Sequence, residues 1–209
     1  HTMTLIRILH DKHHCTLYTD KDKDVVLLLL PVVSSMSISQ ITPTLFLSGA
    51  DAPLNQALMT RKGITLIVNV TLSHTCPIYP GVECIRVAVS DLPNARLSDH
   101  FDHVAARIHS NRSGGTLVHC AAGMSRSPAL IMAYLMKYKG VTLRQAHNCV
   151  KDSRPYICIN AGFWTQLLDY EKKLYGKNTV KVAEPLDPLQ NVFDKKATYL
   201  SRKISFIFG

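Results

Sequence analysis

The hydrophobic positions between residues 40 and 176 follow two alternating patterns. Short, nearly continuous β-branched runs, such as ITLIVNV at 64–70 and TLVH at 116–119, are typical of strands covered on both faces. Between them lie longer segments in which apolar residues recur every three or four positions, as in an amphipathic helix. Strands that alternate with helices in this way predict an α/β fold, with a central, mostly parallel sheet flanked by helices.

Local signals mark where the predicted helices begin and end. The segment 127–139 is apolar nearly all round, so we expect this helix to lie centrally in the fold. The predicted N-caps are Ser98 or Asp99, Thr142 and Asn160, and the predicted C-terminal stops are Gly63 and Gly176.

The two ends of the chain lack this organisation. We predict an irregular N-terminal extension of doubtful origin over residues 1–35, one domain over residues 36–180 and a C-terminal tail over residues 181–209. The longest apolar run, at 25–33, is too short to span a bilayer and contains Pro31, so no membrane span is predicted.

Charge and cysteine content narrow the choice of partner and compartment. The formal net charge is +9, but the basic residues are scattered and not interleaved with aromatic residues, which argues against nucleic acid. The same charge is compatible with an anionic substrate. The six cysteines form no C-x-x-C pair and no regular framework, so we predict neither a zinc site nor a disulfide scaffold, and a reducing, cytoplasmic compartment is expected.

The segment HCAAGMSRS, residues 119–127, carries the candidate chemistry. A buried strand leads to Cys120, small or flexible residues follow, and Arg126 opens a helix. A turn of this kind directs backbone N–H groups inward, and the helix N-terminus adds the positive end of its dipole. We therefore expect the loop to bind a phosphate monoester. The predicted phosphate-binding residues are Ala121, Ala122, Gly123, Met124, Ser125 and Arg126.

Three side chains of this segment have predicted catalytic roles. The field of the loop favours the thiolate form of Cys120, which is the reactive nucleophile. Arg126 can hold two phosphate oxygens with its planar guanidinium. The Ser127 hydroxyl can donate a hydrogen bond to the sulfur, which helps the sulfur to leave a phosphocysteine, although a simple helix cap is its alternative role. His119 is expected to orient the loop by a hydrogen bond.

Attack by a thiolate also needs a proton donor for the leaving oxygen, a contribution of ~100- to 10,000-fold. Asp91, in the polar loop VSDLPNARL that follows a predicted strand, is the best candidate for this general acid and for the general base of the next step. Asp99 and Asp102 are its rivals, although a helix cap or an exposed helix face is enough to explain them.

These residues carry a family resemblance. VHCAAGMSRS resembles the signature H-C-x-x-G-x-x-R-[ST] of the cysteine-dependent protein phosphatases, and its A-A-G and S-R-S elements are similar to those of the dual specificity phosphatases. The likeness extends over about residues 39–181 and is greatest to the small atypical members. It implies a five-stranded sheet flanked by helices and a catalytic domain over 36–180. It also implies Cys120 as nucleophile, Arg126 as phosphate clamp and Asp91 as general acid.

The resemblance further implies a protein phosphatase that hydrolyses phosphotyrosine and phosphoserine or phosphothreonine without a metal or cofactor. Its expected partners are phosphorylated proteins, with kinases among the candidates. Nuclear or mitochondria-associated localisation stays open beside the cytoplasm. Two alternatives to this function also stay open: a phosphoprotein-binding adaptor without turnover, and an enzyme acting on RNA 5′-phosphates or sugar phosphates.

Two features depart from patterns seen in relatives. The loop interior lacks the lysines of members that act on inositol lipids, which disfavours lipid substrates. Ile159 stands where a proline is usual before Asn160. We expect this change to loosen the start of the last helix without affecting the loop.

Overall fold

A computed structural model of the chain describes residues 5–11, 14–18 and 37–182. The strands are Leu5–Asp11 (β1), His14–Tyr18 (β2), Ile38–Thr42 (β3), Leu45–Ser48 (β4), Ile64–Asn69 (β5), Glu83–Arg86 (β6), Gly115–His119 (β7) and Lys181–Val182 (β8). The α-helices are Gln56–Arg61 (α1), Phe101–Ser110 (α2), Arg126–Lys139 (α3), Leu143–Ser153 (α4) and Ala161–Tyr175 (α5). None of the helices in this described part has both the length and the apolar sequence that a bilayer-crossing segment requires.

The chain divides into two compact units, of which the larger includes the described residues 37–181. The smaller unit contains an antiparallel hairpin in which β1 pairs with β2, with Arg7 opposite Tyr18. The stretch expected to be irregular therefore includes two strands, and their aliphatic and β-branched residues explain this. The remaining residues of both predicted terminal segments, 1–4, 12–13, 19–35 and 183–209, lie outside the described residues, as does residue 36, and the domain boundaries stay a prediction.

Five strands of the larger unit form one sheet in the order β3-β4-β7-β5-β6. The strands β4, β7, β5 and β6 run parallel to one another, whereas β3 pairs antiparallel with β4. The predicted α/β class and the mostly parallel five-stranded sheet are confirmed. Because β7 is the middle strand, the residue that follows it leaves the sheet at the centre of its carboxyl edge, where ligands of such sheets bind.

Helix α3 is the central helix of the unit. Residues 127–136 of this helix are all buried, and the helix packs against α2, α4, α5 and β7. The central position predicted from its apolar sequence is confirmed. Helix α1 packs on β5, and a hydrophobic cluster there includes Phe46, Met59, Ile67 and Leu117. The apolar packing around α3 and β7 fixes the strand-to-helix connection between them.

The helix ends follow the predicted signals with one exception. Thr142 caps α4, Asn160 caps α5, and α5 ends at Gly176, whose φ is 73°. The predicted cap of α2 is wrong, since neither Ser98 nor Asp99 accepts a capping hydrogen bond. Both residues lie in a 3₁₀ turn, Leu97–His100, that leads directly into α2.

Two buried histidines make the stability of this fold depend on pH. Burial lowers the pKa of both His119 and His147 from the ordinary 6.5 to about 4, because the imidazolium form loses its hydration. The unfolded chain therefore takes up protons near pH 6.5 that the folded chain does not bind until about pH 4. The stabilisation is fully present above pH 6.5 and is lost as the pH falls towards 4. We expect a loss of about 1 kcal/mol per pH unit for each histidine.

Urea unfolding between about pH 7 and pH 4.5 measures this dependence, in a range where most carboxylates stay ionised. The His147→Gln variant should roughly halve the slope of the unfolding free energy against pH, because one of the two titrating groups is removed. If the variant keeps the slope of the wild-type chain, His147 does not contribute to the pH dependence of stability and the prediction is wrong.

Candidate active site

Cys120 follows directly on β7 and is 2% exposed. Residues 120–126, here called the cysteine loop, connect this strand to α3. The hydroxyl of Ser127, in the first turn of α3, donates a hydrogen bond to the Cys120 sulfur over 3.1 Å. The sulfur therefore lies at the base of the loop with one hydroxyl directed at it.

The carbonyl groups of the cysteine loop point away from its interior. Four successive carbonyls, from Ala121 to Met124, accept hydrogen bonds from donors outside the loop. These bonds run from Ala50 N to Ala121 O (3.0 Å), Arg154 Nη2 to Ala122 O (3.1 Å), Arg154 Nε to Gly123 O (2.8 Å) and Cys158 N to Met124 O (2.8 Å). Since the N–H of a trans peptide points opposite to its C=O, the corresponding N–H groups face inward, as an anion cradle requires.

Gly123 is required by the shape of this turn. Its φ is 68°, a left-handed conformation that side chains disfavour. A Cβ at this position would also lie 2.6 Å from the Ser48 carbonyl oxygen at the end of β4. The glycine in the quoted motif thus lets the loop pass close to the neighbouring strand.

The N-terminus of α3 is open towards the loop. Ser125 occupies the N-cap position, but its side chain forms no capping hydrogen bond. The Ser127 hydroxyl is directed at the Cys120 sulfur, so the alternative role of Ser127 as a cap is not seen. No side chain in the described part of the chain therefore satisfies the first N–H groups of α3, and these groups and the helix dipole are available to an anion.

Arg126 lies beside the cradle and has N–H groups that form no hydrogen bond with the described residues. Its Nη1 donates to the carbonyl oxygen of Val89 over 3.1 Å, which fixes the direction of the guanidinium. Its buried Nε forms no hydrogen bond with the described residues and lies 3.8 Å from Asp91 Oδ2. A buried N–H without a protein partner is a donor that an oxyanion can satisfy.

Asp91 is attached to the cysteine loop through one carboxylate oxygen. Its Oδ1 accepts hydrogen bonds from Ser125 Oγ (2.8 Å) and Asn160 Nδ2 (2.7 Å), while Oδ2 faces Arg126. The Asp91 side chain is 37% exposed, against 11% for Arg126, so the carboxylate borders the solvent at the mouth of the site. The carboxylate thus borders the space in front of the cysteine loop, where the ester oxygen of a bound phosphate would lie.

The rival carboxylates lie elsewhere. Asp99 pairs with Arg96 on the exposed surface. Asp102 receives hydrogen bonds from Lys137 and Tyr170, which lower its pKa, and none of these bonds involves the cysteine loop. Asp91 is therefore the one of the three candidates that contacts the loop.

The loop that carries Asp91 packs closely on helix α5. A Cβ at Gly162, in the first turn of α5, would lie 1.8 Å from the Pro93 carbonyl oxygen. The absence of a side chain at Gly162 thus lets the Asp91 loop, residues 90–96, approach the helix. This contact and the Asn160 hydrogen bond hold Asp91 beside the cysteine loop.

His119 is completely buried behind Cys120. Its Nδ1 lies 3.3 Å from the Cys120 carbonyl oxygen, and burial lowers its pKa to about 4, so the ring is neutral near pH 7. A neutral ring can donate to this carbonyl through Nδ1. The contact supports the expected role of His119 in orienting the loop.

The described residues 45–173 match the family model "Dual specificity phosphatase, catalytic domain". The chain belongs to the dual specificity phosphatases. This phosphatase is 45% identical over 166 residues to human dual specificity protein phosphatase 14, a match that covers 78% of this chain and 84% of the relative. It is 44% identical over 170 residues to mouse dual specificity protein phosphatase 18, with 80% and 90% covered. The predicted likeness to the atypical members is confirmed.

Solved structures give the same family. The phosphatase superposes with a TM-score of 0.66 on a mouse putative dual specificity phosphatase complexed with zinc tungstate, at 37% identity and with 71% of this chain and 95% of that chain covered. The chain is thus a hydrolase of the dual specificity protein phosphatase type, a family that acts on phosphotyrosine and phosphoserine or phosphothreonine.

The sequence did not predict that Asn160 and Arg154 contact the site. Asn160 was expected only as a helix cap, but it caps α5 through Oδ1 and holds Asp91 through Nδ2. An asparagine cap can accept one hydrogen bond and donate another, whereas an aspartate cap has no donor. An asparagine at the cap position is therefore the signal that suggests a second contact. Arg154 lies at the C-terminal end of α4, and its contact with the loop has no local sequence signal.

The expected loosening of α5 by Ile159 is not seen. Ile159 is buried, and α5 begins at Ala161 with the Asn160 cap intact.

Proposed function

We propose that this phosphatase hydrolyses phosphoproteins through a covalent phosphocysteine at Cys120. The proposal rests mainly on one arrangement: the Cys120 sulfur lies under a cradle of inward N–H groups, with Arg126 and Asp91 at its mouth. The substrate phosphate binds with its non-bridging oxygens on the loop N–H groups and the Arg126 guanidinium. The thiolate then approaches phosphorus opposite the ester oxygen.

In the first step the sulfur forms a bond to phosphorus while the bond from phosphorus to the ester oxygen breaks. Asp91 gives its proton to that oxygen, which leaves as a neutral phenol or alcohol. Since Asp91 Oδ1 already accepts two hydrogen bonds, we assign the transferred proton to Oδ2, the oxygen on the side of Arg126.

In the second step water attacks phosphorus and the bond from sulfur to phosphorus breaks. Asp91, now a carboxylate, takes a proton from the water, and inorganic phosphate leaves. Ser127 stabilises the departing thiolate, because its hydroxyl already donates to the Cys120 sulfur. The cycle returns every group to its first protonation state.

The charge of the phosphatase supports an anionic substrate. Residues 37–182 contain about twice as many Lys and Arg as Asp and Glu residues, which favours the approach of a phosphorylated segment. The tungstate named in the mouse relative's complex is a tetrahedral oxyanion, like phosphate, and fits the same proposal.

The test is phosphate release from a peptide that carries both phosphothreonine and phosphotyrosine, with a metal chelator present. We expect release from both residues at the same rate with and without the chelator. RNA 5′-phosphates, sugar phosphates and phosphoinositides serve as the competing substrates. Tight peptide binding without release would instead identify a phosphoprotein adaptor, and faster release from a competing substrate would move the activity to that class.

A further inference from the structure

Arg154 is a buried cation on the outer side of the cysteine loop, 2% exposed. Its Nε and Nη2 donate to two successive loop carbonyls, those of Gly123 and Ala122. Its Nη1 donates to Ser37 O, Ser37 Oγ and Ser39 Oγ over 3.2–3.3 Å. One guanidinium thus ties the loop to the chain segment that enters β3.

The charge of Arg154 has no carboxylate partner among the described residues, whose ion pairs involve other side chains. The ring of Tyr156 lies 4.7 Å from the guanidinium carbon. Burial lowers the pKa of Arg154, while Tyr156 and Cys120 act in the opposite direction. An arginine stays charged even so, and a buried cation without a counter-ion is costly unless a nearby anion offsets it. In the proposed mechanism the anions at this site are the Cys120 thiolate and the bound phosphate.

We propose that Arg154 is a positioning residue that holds the cysteine loop in its anion-binding shape and places a second positive charge against this loop. This inference rests on the proposed function of the loop. By binding the Ala122 and Gly123 carbonyls, Arg154 turns the N–H groups of Gly123 and Met124 towards the interior. Its charge adds to that of Arg126 in favouring the thiolate and a phosphate dianion.

Two substitutions separate the contribution of the charge from that of the hydrogen-bonding geometry. Arg154→Lys keeps a positive charge but cannot span both carbonyls and Ser37 together. Arg154→Gln keeps a donor but loses the charge. The matched control is Arg144→Gln: Arg144 lies on α4 and also donates through Nε and Nη2 to a carbonyl, but that carbonyl belongs to Thr179.

The measurement is the rate of Cys120 alkylation by iodoacetamide, followed by mass spectrometry of the Cys120 peptide, since only the thiolate reacts. At pH 7 we expect Arg154→Gln to react about tenfold more slowly than the wild-type chain, because this variant lacks a cation that favours the thiolate. Arg154→Lys should stay within about threefold of the wild-type rate at the same pH. The concentration of inorganic phosphate that protects Cys120 should rise about tenfold in both variants.

Circular dichroism and thermal unfolding establish that each variant is folded. If Arg154→Gln does not fold, Arg154→Lys carries the test, because it must keep the alkylation rate and still need about tenfold more phosphate for protection. Alkylation and protection indistinguishable from those of Arg144→Gln would overturn the proposal. The assay needs no turnover, so it tests Arg154 separately from the proposed function. If the wild-type chain releases no phosphate but the Arg154 variants still show these shifts, the phosphocysteine mechanism is refuted and the role of Arg154 stands.

Discussion

Replacing Cys120 by serine should lower turnover on the order of 10⁵-fold or more, as removal of a catalytic nucleophile does in other hydrolases. A neutral hydroxyl would then face phosphorus in place of a thiolate. Phosphopeptide affinity should stay equal or rise, because Arg126 and the loop N–H groups remain and the repulsion between thiolate and dianion disappears. Single-turnover phosphate release and fluorescence anisotropy with a labelled phosphotyrosine peptide measure the two quantities separately.

The matched control is Cys149→Ser. Cys149 is another free cysteine, on α4, whose thiol lies 4.0 Å from the Ile41 carbonyl and not at the cysteine loop. This variant should keep turnover within about twofold, as expected for a substitution away from the site. Turnover of Cys120→Ser at a level near that of Cys149→Ser would rule out the covalent intermediate.

The part of the site that lies within one short segment could be predicted from the sequence. Cys120, Arg126 and Ser127 stand within eight residues, and the strand before them and the helix after them have strong apolar patterns. Residues close together in the sequence determine the turn between the two elements, so its glycine and its arginine indicate an anion-binding loop directly. Helix caps such as Thr142 are local in the same sense.

The contacts that join distant segments could not be predicted in this way. Asn160 reaches Asp91 across 69 positions of the chain, and Arg154 reaches Gly123 across 31. Both contacts depend on how α4 and α5 pack beside the loops, which the periodicity of one segment does not specify. The strand order that puts β7 in the middle of the sheet depends on tertiary packing for the same reason.

The predicted cap of α2 failed for a related reason. Ser98 and Asp99 have good capping side chains, but Leu97 is completely buried and begins a 3₁₀ turn that already leads the chain into the helix. Tertiary burial of one leucine thus outweighed a local preference worth about 1 kcal/mol.

Replacing Asp91 by asparagine should produce a loss that depends on the leaving group. The amide of the Asp91→Asn variant can accept the same two hydrogen bonds at Oδ1 but has no acidic proton to transfer. We expect turnover of a phosphothreonine peptide to fall by about 10²- to 10⁴-fold, because an alkoxide cannot leave without an acid. Para-nitrophenyl phosphate, whose phenolate leaves readily, should lose no more than about tenfold. Phosphotyrosine, with a phenol of pKa about 10, should fall between them.

Two further variants test whether the position of Asp91 matters as well as its chemistry. Asp99→Asn removes the same charge from an exposed carboxylate and should leave all three rates within about twofold. Gly162→Ala retains Asp91 but forces the Pro93 backbone away from α5, so it should reproduce the leaving-group dependence of Asp91→Asn in a weaker form. Equal losses of Asp91→Asn on the alkyl and the activated aryl ester would remove Asp91 from the acid role. A selective loss on the alkyl ester that Gly162→Ala also shows would establish that α5 positions the acid.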